Sequence, residues 1–129
     1  GRKKDIIITA GGKNIAPKNI EAALMEHPNV TQAVVIGDRR KFLSAILAID
    51  PEKVAEAGGK TEGFTDSIQA HVDAINERFA RVEHVRKFRL LPRELDLENS
   101  ELTPTMKIKR RVVYENWAEL IETMYEEGA

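Results

Sequence analysis

The chain has 129 residues, 42% of them hydrophobic and 32% charged, with 20 basic and 21 acidic residues and a formal net charge of -1. That length suits one folded globular domain and is too short for two full-sized ones, and the balanced charge gives no long-range field for nucleic acid or an anionic membrane. Cysteine is absent, which excludes disulfides, thiolate catalysis and cysteine-bound metal.

The chain opens Gly1-Arg2-Lys3-Lys4-Asp5 without a methionine, and so reads as a piece of something larger. No apolar run approaches the length of a membrane span and nothing at the start reads as a signal peptide, so a cytoplasmic protein is expected.

Ile6-Ile7-Ile8-Thr9, then Gly11-Gly12, then Lys13-Asn14-Ile15 predict a short strand, a tight turn and a return. Pro17 suits a first helical turn, and Ile20, Ala23, Leu24 and His27 follow at helical spacing until Pro28. Val30 to Ile36 and Phe42 to Ile49 read as two strands joined by the polar turn Gly37-Asp38-Arg39-Arg40-Lys41, paired antiparallel. A short helix from Pro51 to Ala57 stops at Gly58-Gly59, and Lys60 to Gly63 reads as a flexible surface loop. Ile68, Val72, Ile75 and Phe79 mark an amphipathic helix, and Val85 to Leu91 alternates as a half-buried or edge strand. Val113, Trp117, Leu120 and Met124 mark one final helix. Strands and helices without a steady strand-helix-strand rhythm predict an α+β fold, with a small mixed or antiparallel sheet, an N-terminal hairpin and packed helices.

The charges around that last helix are reversed. Lys107, Lys109, Arg110 and Arg111 gather at its start, where free backbone N–H groups already carry partial positive charge, and Glu119, Glu122, Glu126 and Glu127 load its far end. Cations beside unpaired N–H groups make an anion site, with phosphate the obvious guest. The plainer reading is a solvated face, with Arg111 paired to Glu115 across one turn. Pro104 biases Thr103 towards an extended conformation, so Met106 and Ile108 are expected to face the core and Lys107 to point outward from an anchored loop. Gly11-Gly12 likewise has two readings. The glycines supply positive φ to a turn, or their missing side chains let a ligand run along the backbone beside Lys13.

Taken together, Gly1 to Ile6, Gly11-Gly12-Lys13-Asn14-Ile15-Ala16-Pro17 and Ile20-Glu21 resemble the hinge and glycine-loop motif opening the C-terminal domain of adenylate-forming enzymes. Leu102-Thr103-Pro104-Thr105-Met106-Lys107-Ile108-Lys109-Arg110 resembles the closing lysine motif of that superfamily, in the form found in long-chain fatty acyl-CoA synthetases. Asn99-Ser100 stands where many long-chain members have Asn-Gly. The resemblance implies a hinge remnant at 1–5 and a lid domain at 6–129, with a much larger N-terminal domain outside these residues. That domain, the fatty acid, ATP and coenzyme A are the partners it implies, and Mg2+ would be bound outside the lid.

In such enzymes a carboxylic acid attacks the α-phosphorus of ATP, and the thiol of coenzyme A then displaces AMP from the acyl-adenylate. By the resemblance Lys107 is the catalytic, nucleotide-binding lysine of the first step, Arg2 approaches the nucleotide, and Lys4 is the pivot. Gly11, Gly12 and Lys13 line the coenzyme A tunnel in the second step. The resemblance places no metal ligand in this chain and leaves room for peripheral membrane association of the whole enzyme. A lid that hands its acyl group to a carrier protein is the alternative of the same chemistry. A small basic module binding nucleic acid through Lys107 to Arg111 is the alternative of a different class, and the net charge argues against it. His27, His71 and His84 are scattered without ligand spacing, and Trp117 reads as core.

Overall fold

The structure, a computed structural model, describes residues 6–126. Strands β1 (Ile7–Ile8) and β2 (Asn14–Ile15) pair antiparallel, Ile7 opposite Ile15 and Ile8 opposite Asn14. This is the expected hairpin. Helix α1 (Pro17–Leu24) starts on its proline and buries Ile20, Ala23 and Leu24.

Strands β3 (Val30–Ile36) and β4 (Leu43–Ile49) pair antiparallel as their apolar runs require. Between them Gly37 is sterically fixed, because a Cβ there would lie 2.2 Å from Cδ2 of Leu43. Helix α2 (Pro51–Glu56) is capped by the Asp50 carboxylate, which accepts from the Glu52 amide at 2.9 Å. The stretch expected to be an open loop at 60–63 instead runs into a 3-10 turn over Glu62–Phe64, which leads directly into helix α3 (Thr65–Asn76). Ile68, Val72 and Ile75 form the buried stripe of α3, as their spacing predicts. The crossover through α2 and α3 brings strand β5 (Val85–Leu90) alongside β4 in parallel, Ala45 opposite Phe88. The sheet order is β3-β4-β5, so β5 is an edge strand of a mixed sheet and the α+β expectation holds.

Every residue of the central strand β4 is buried, because both faces of the sheet are covered. Ala33, Val35, Ala45 and Leu47 pack with α1 and α3 on one side; Val34, Ile36, Ile46 and Ala48 pack with Leu91, Leu102, Val113 and Met124 on the other. The C-terminal segment is thus one outer layer. Its helix differs from expectation: α4 (Arg110–Asn116) and α5 (Ala118–Glu122) are separated at Trp117, whose φ is -111° and ψ 21°. Glu119 consequently lies in the first turn of α5, where an acid is favourable, so this one acid is no longer misplaced.

Candidate functional site

Lys107 stands on a tight hairpin, an anchored loop as expected. Leu102 and Ile108 form an antiparallel bridge, and Thr103 closes the loop above it. Its amide donates to the Lys107 carbonyl at 2.8 Å, its carbonyl accepts from the Met106 amide at 2.7 Å, and its hydroxyl accepts from the Lys107 amide at 3.0 Å. Pro104 and Thr105 form the turn. The expectation that Met106 faces the core is corrected here: its φ is +69° and it is 60% exposed. The tight turn forces a left-handed residue and so flips the side chain outward. Ile108 does pack against the core, and Lys107 is exposed as expected.

Below the bridge the stem is fastened by Glu101, whose carbonyl accepts from the Lys109 amide at 2.8 Å. Its side chain is fully buried and engages donors from three directions. Arg93 meets both oxygens at 2.8 and 3.0 Å, the Asp96 amide donates at 3.1 Å, Asn116 Nδ2 at 3.0 Å and the Trp117 indole N–H at 2.9 Å. Burial pushes its pKa up, but the hydrogen bonds from Arg93, Asn116 and the Asp96 amide outweigh this and hold it below the ordinary 4.5. Nothing in the sequence distinguished Glu101 from 20 other acids; only its place one residue before Leu102 could have drawn attention to it.

Arg110 is not part of an open cation cluster. Its guanidinium forks onto Glu21 of α1 with two bonds of 2.7 Å, and Glu21 also accepts from the Val35 amide at 2.8 Å. Arg111 and Glu115 lie 3.7 Å apart on the surface, the pair the helical spacing foretold. Lys107 and Lys109 remain exposed.

The glycine hairpin is built on Thr9, whose amide bonds the Lys13 carbonyl at 3.0 Å and whose hydroxyl accepts from the Lys13 amide at 3.1 Å. Gly12 takes φ +84°, which a side chain would resist. A Cβ at Gly11 or Gly12 would meet no heavy atom within 4 Å, so this backbone lies open as well as bent. The turn reading of the glycines thus holds, and the bend leaves their backbone bare. Gly11 and Lys13 line a groove of about 320 Å³ with Lys41, Arg81, His84 and Arg86. Four of the six named lining residues are lysine or arginine, a local surplus in a chain of net charge -1. Lys107 does not line that groove, so the two motifs present separate surfaces. Arg2 and Lys4 lie outside the described residues.

The three histidines serve the scaffold. His27 bridges Ser67 at 2.7 Å and the Asn29 amide at 3.1 Å, while His71 and His84 bond the carbonyls of Ala23 and Phe79. Among the described residues no group of His, Asp and Glu side chains could hold a metal ion, and no helix is long and apolar enough to cross a membrane.

The family model described as the AMP-binding enzyme C-terminal domain matches residues 4–129. The long-chain-fatty-acid–CoA ligase FadD15 of Mycobacterium tuberculosis is 45% identical over 139 residues, taking in 97% of this chain and 23% of that protein. The long-chain-fatty-acid–CoA ligase ACSBG1 of Mus musculus is 35% identical, over 98% of this chain and 22% of that one. Among solved structures, the A domain of carboxylic acid reductase from Segniliparus rugosus, in complex with AMP and a co-purified carboxylic acid, superposes with a TM-score of 0.80. Its identity is 26%, and the match covers 99% of this chain and 21% of that one. The chain thus spans less than a quarter of the length of the curated relatives it matches.

Proposed function

Since the chain belongs to the AMP-binding enzyme C-terminal domain family, we propose that it is the mobile lid of an ATP-dependent long-chain fatty acid–CoA ligase. The observation that carries this reading is Lys107, an exposed cation on the tip of a hairpin locked by three bonds to Thr103. A larger N-terminal domain would supply the acyl pocket and the ATP site, with Mg2+ accompanying the nucleotide there. Residues 1–5 would form the hinge, with Lys4 the pivot and Arg2 near the nucleotide.

In the first step a carboxylate oxygen attacks the α-phosphorus and pyrophosphate leaves. The Lys107 ammonium approaches the oxygens that gather negative charge, without forming a covalent bond. One such contact at about 4 Å and effective dielectric 20 is worth roughly 4 kcal/mol, about a thousandfold in rate. In the second step the thiol of coenzyme A attacks the acyl carbonyl and AMP leaves. The bare backbone of Gly11 and Gly12 would line the thiol's path, beside Lys13. The basic groove suits an acceptor that carries phosphates, as coenzyme A does.

Lys107→Gln in the full-length protein provides the test. Pyrophosphate exchange into ATP should fall about a thousandfold, while thioester formation from presynthesised acyl-adenylate and coenzyme A should persist. Undiminished exchange would overturn the role of Lys107. Transfer to an acyl carrier protein in preference to coenzyme A would replace the ligase by the carrier-loading alternative.

A further inference from the structure

We propose that Glu101 is a positioning residue for Lys107, fixing the direction in which the lysine hairpin leaves the fold during adenylation. The inference rests on the reading of Lys107 given above and assigns a role to a side chain outside both motif functions.

Glu101 stands at the base of the hairpin and touches both of its legs. It immediately precedes Leu102, which is bridged to Ile108, and its own carbonyl holds the Lys109 amide at 2.8 Å. One leg therefore leaves through this residue and the other is hydrogen-bonded to it. Its carboxylate is in turn held by the guanidinium of Arg93 and by Asn116 and Trp117 at the end of α4. Stem, loop 93–96 and helix end meet at two oxygen atoms.

Stability alone is a poor reason for such an arrangement. A buried ionic cluster is commonly matched or bettered by apolar side chains of the same volume, whereas its directional bonds fix one geometry among many. What is fixed here is informative. The tip above Glu101 carries Met106 at φ +69° with its side chain 60% exposed. A non-glycine residue persists in that conformation only where its surroundings over-determine it. A strained tip on a rigid stem is a preorganised mount for the residue next to Met106, which is Lys107. Rotation of the stem by a small angle would displace the lysine's end by far more than the stem itself moves, because the charge sits at the end of a long side chain.

The prediction separates the two half-reactions. In the full-length enzyme, Glu101→Gln should lower the maximal rate of pyrophosphate exchange by about a hundredfold, the cost of misplacing a group by roughly 1 Å, with little change in the KM for ATP. Thioester formation from presynthesised acyl-adenylate, which does not use Lys107, should stay within about twofold of the parent. Asn116→Ala and Trp117→Phe each remove one donor and keep the Arg93 pair, so they test the same idea should Glu101→Gln fail to fold; each should give a smaller loss confined to exchange. Equal losses in both half-reactions, or no loss in either, would overturn the proposal. Lys107→Gln run in parallel distinguishes the cases: if that variant exchanges normally, the function assigned to Lys107 fails, and if it alone is impaired, only the role of Glu101 fails.

Discussion

His27 is held neutral by its surroundings. Burial lowers its pKa from the ordinary 6.5, and the nearby His71 lowers it further. Its Nδ1 accepts from the Asn29 amide, which requires that nitrogen to be unprotonated and leaves Nε2–H to donate to the Ser67 hydroxyl. The unfolded chain binds a proton at this residue more readily than the folded one. Its contribution is therefore complete above about pH 6.5 and is lost as the pH falls through 6.5 towards the lower folded value. Urea midpoints measured from pH 7.5 to 5 should fall for the parent. His27→Asn, which keeps an acceptor for the Asn29 amide, should lower stability by about 1 kcal/mol at pH 7.5 and show a shallower fall on acidification. A parallel curve for the two proteins would refute the assignment. By contrast, Arg111 and Glu115 have side chains 91% and 67% exposed, and such a pair contributes little in water.

The lysine hairpin is an element whose strain can be measured. Met106 at φ +69° sits in a region that costs an L-residue about 1–2 kcal/mol and costs glycine almost nothing. Part of that gain is offset by the greater freedom of glycine in the unfolded chain, so Met106→Gly should raise unfolding stability by about 0.5–1 kcal/mol. A drop in the denaturation midpoint would mean that the exposed Met106 side chain makes stabilising contacts. Ser100 holds a second left-handed position, with φ +62°, at the place where long-chain relatives in the resemblance carry glycine. The break between α4 and α5 has a visible anchor as well: the Trp117 indole N–H reaches Glu101 at 2.9 Å and the Arg93 guanidinium lies 4.8 Å from its ring. Periodicity marked all the apolar positions of that segment, yet it could not show that one of them is tethered sideways by a polar bond.

Across the whole molecule, the two layers on either side of the sheet are joined around its β3 edge. Glu21 comes from α1 on one side and Arg110 from α4 on the other, and the carboxylate also takes the Val35 amide of the edge strand. The Tyr114 hydroxyl donates to the Val35 carbonyl at 3.2 Å, so side chains occupy both backbone groups of Val35 and close the edge to further strand pairing. Glu21→Ala would leave the Arg110 guanidinium, whose side chain is only 15% exposed, without its carboxylate. The expected loss is about 3–5 kcal/mol in unfolding free energy. The double variant Glu21→Met with Arg110→Met should recover most of that loss, because no charge is then stranded. If the double variant is as unstable as the single one, the attraction within the pair, rather than the burial of a lone charge, sets the cost.

The sequence by itself determined most of the elements and their faces, the break at Trp117 and the outward turn of Met106 excepted. Proline and glycine placed the ends of α1 and α2, apolar spacing placed the buried stripes, and a short polar turn sufficed to pair β3 with β4, because each of these is a preference felt within a few residues. Two short motifs also determined the family resemblance and singled out Gly11, Gly12, Lys13 and Lys107. Only the tertiary structure decided that β5 runs parallel to β4, that Glu21 meets Arg110 across 89 residues of chain, and that Glu101 gathers the stem of the lysine hairpin. A charged side chain carries no local mark of its partner, since desolvation and hydrogen bonding become decisive only when distant segments are packed together.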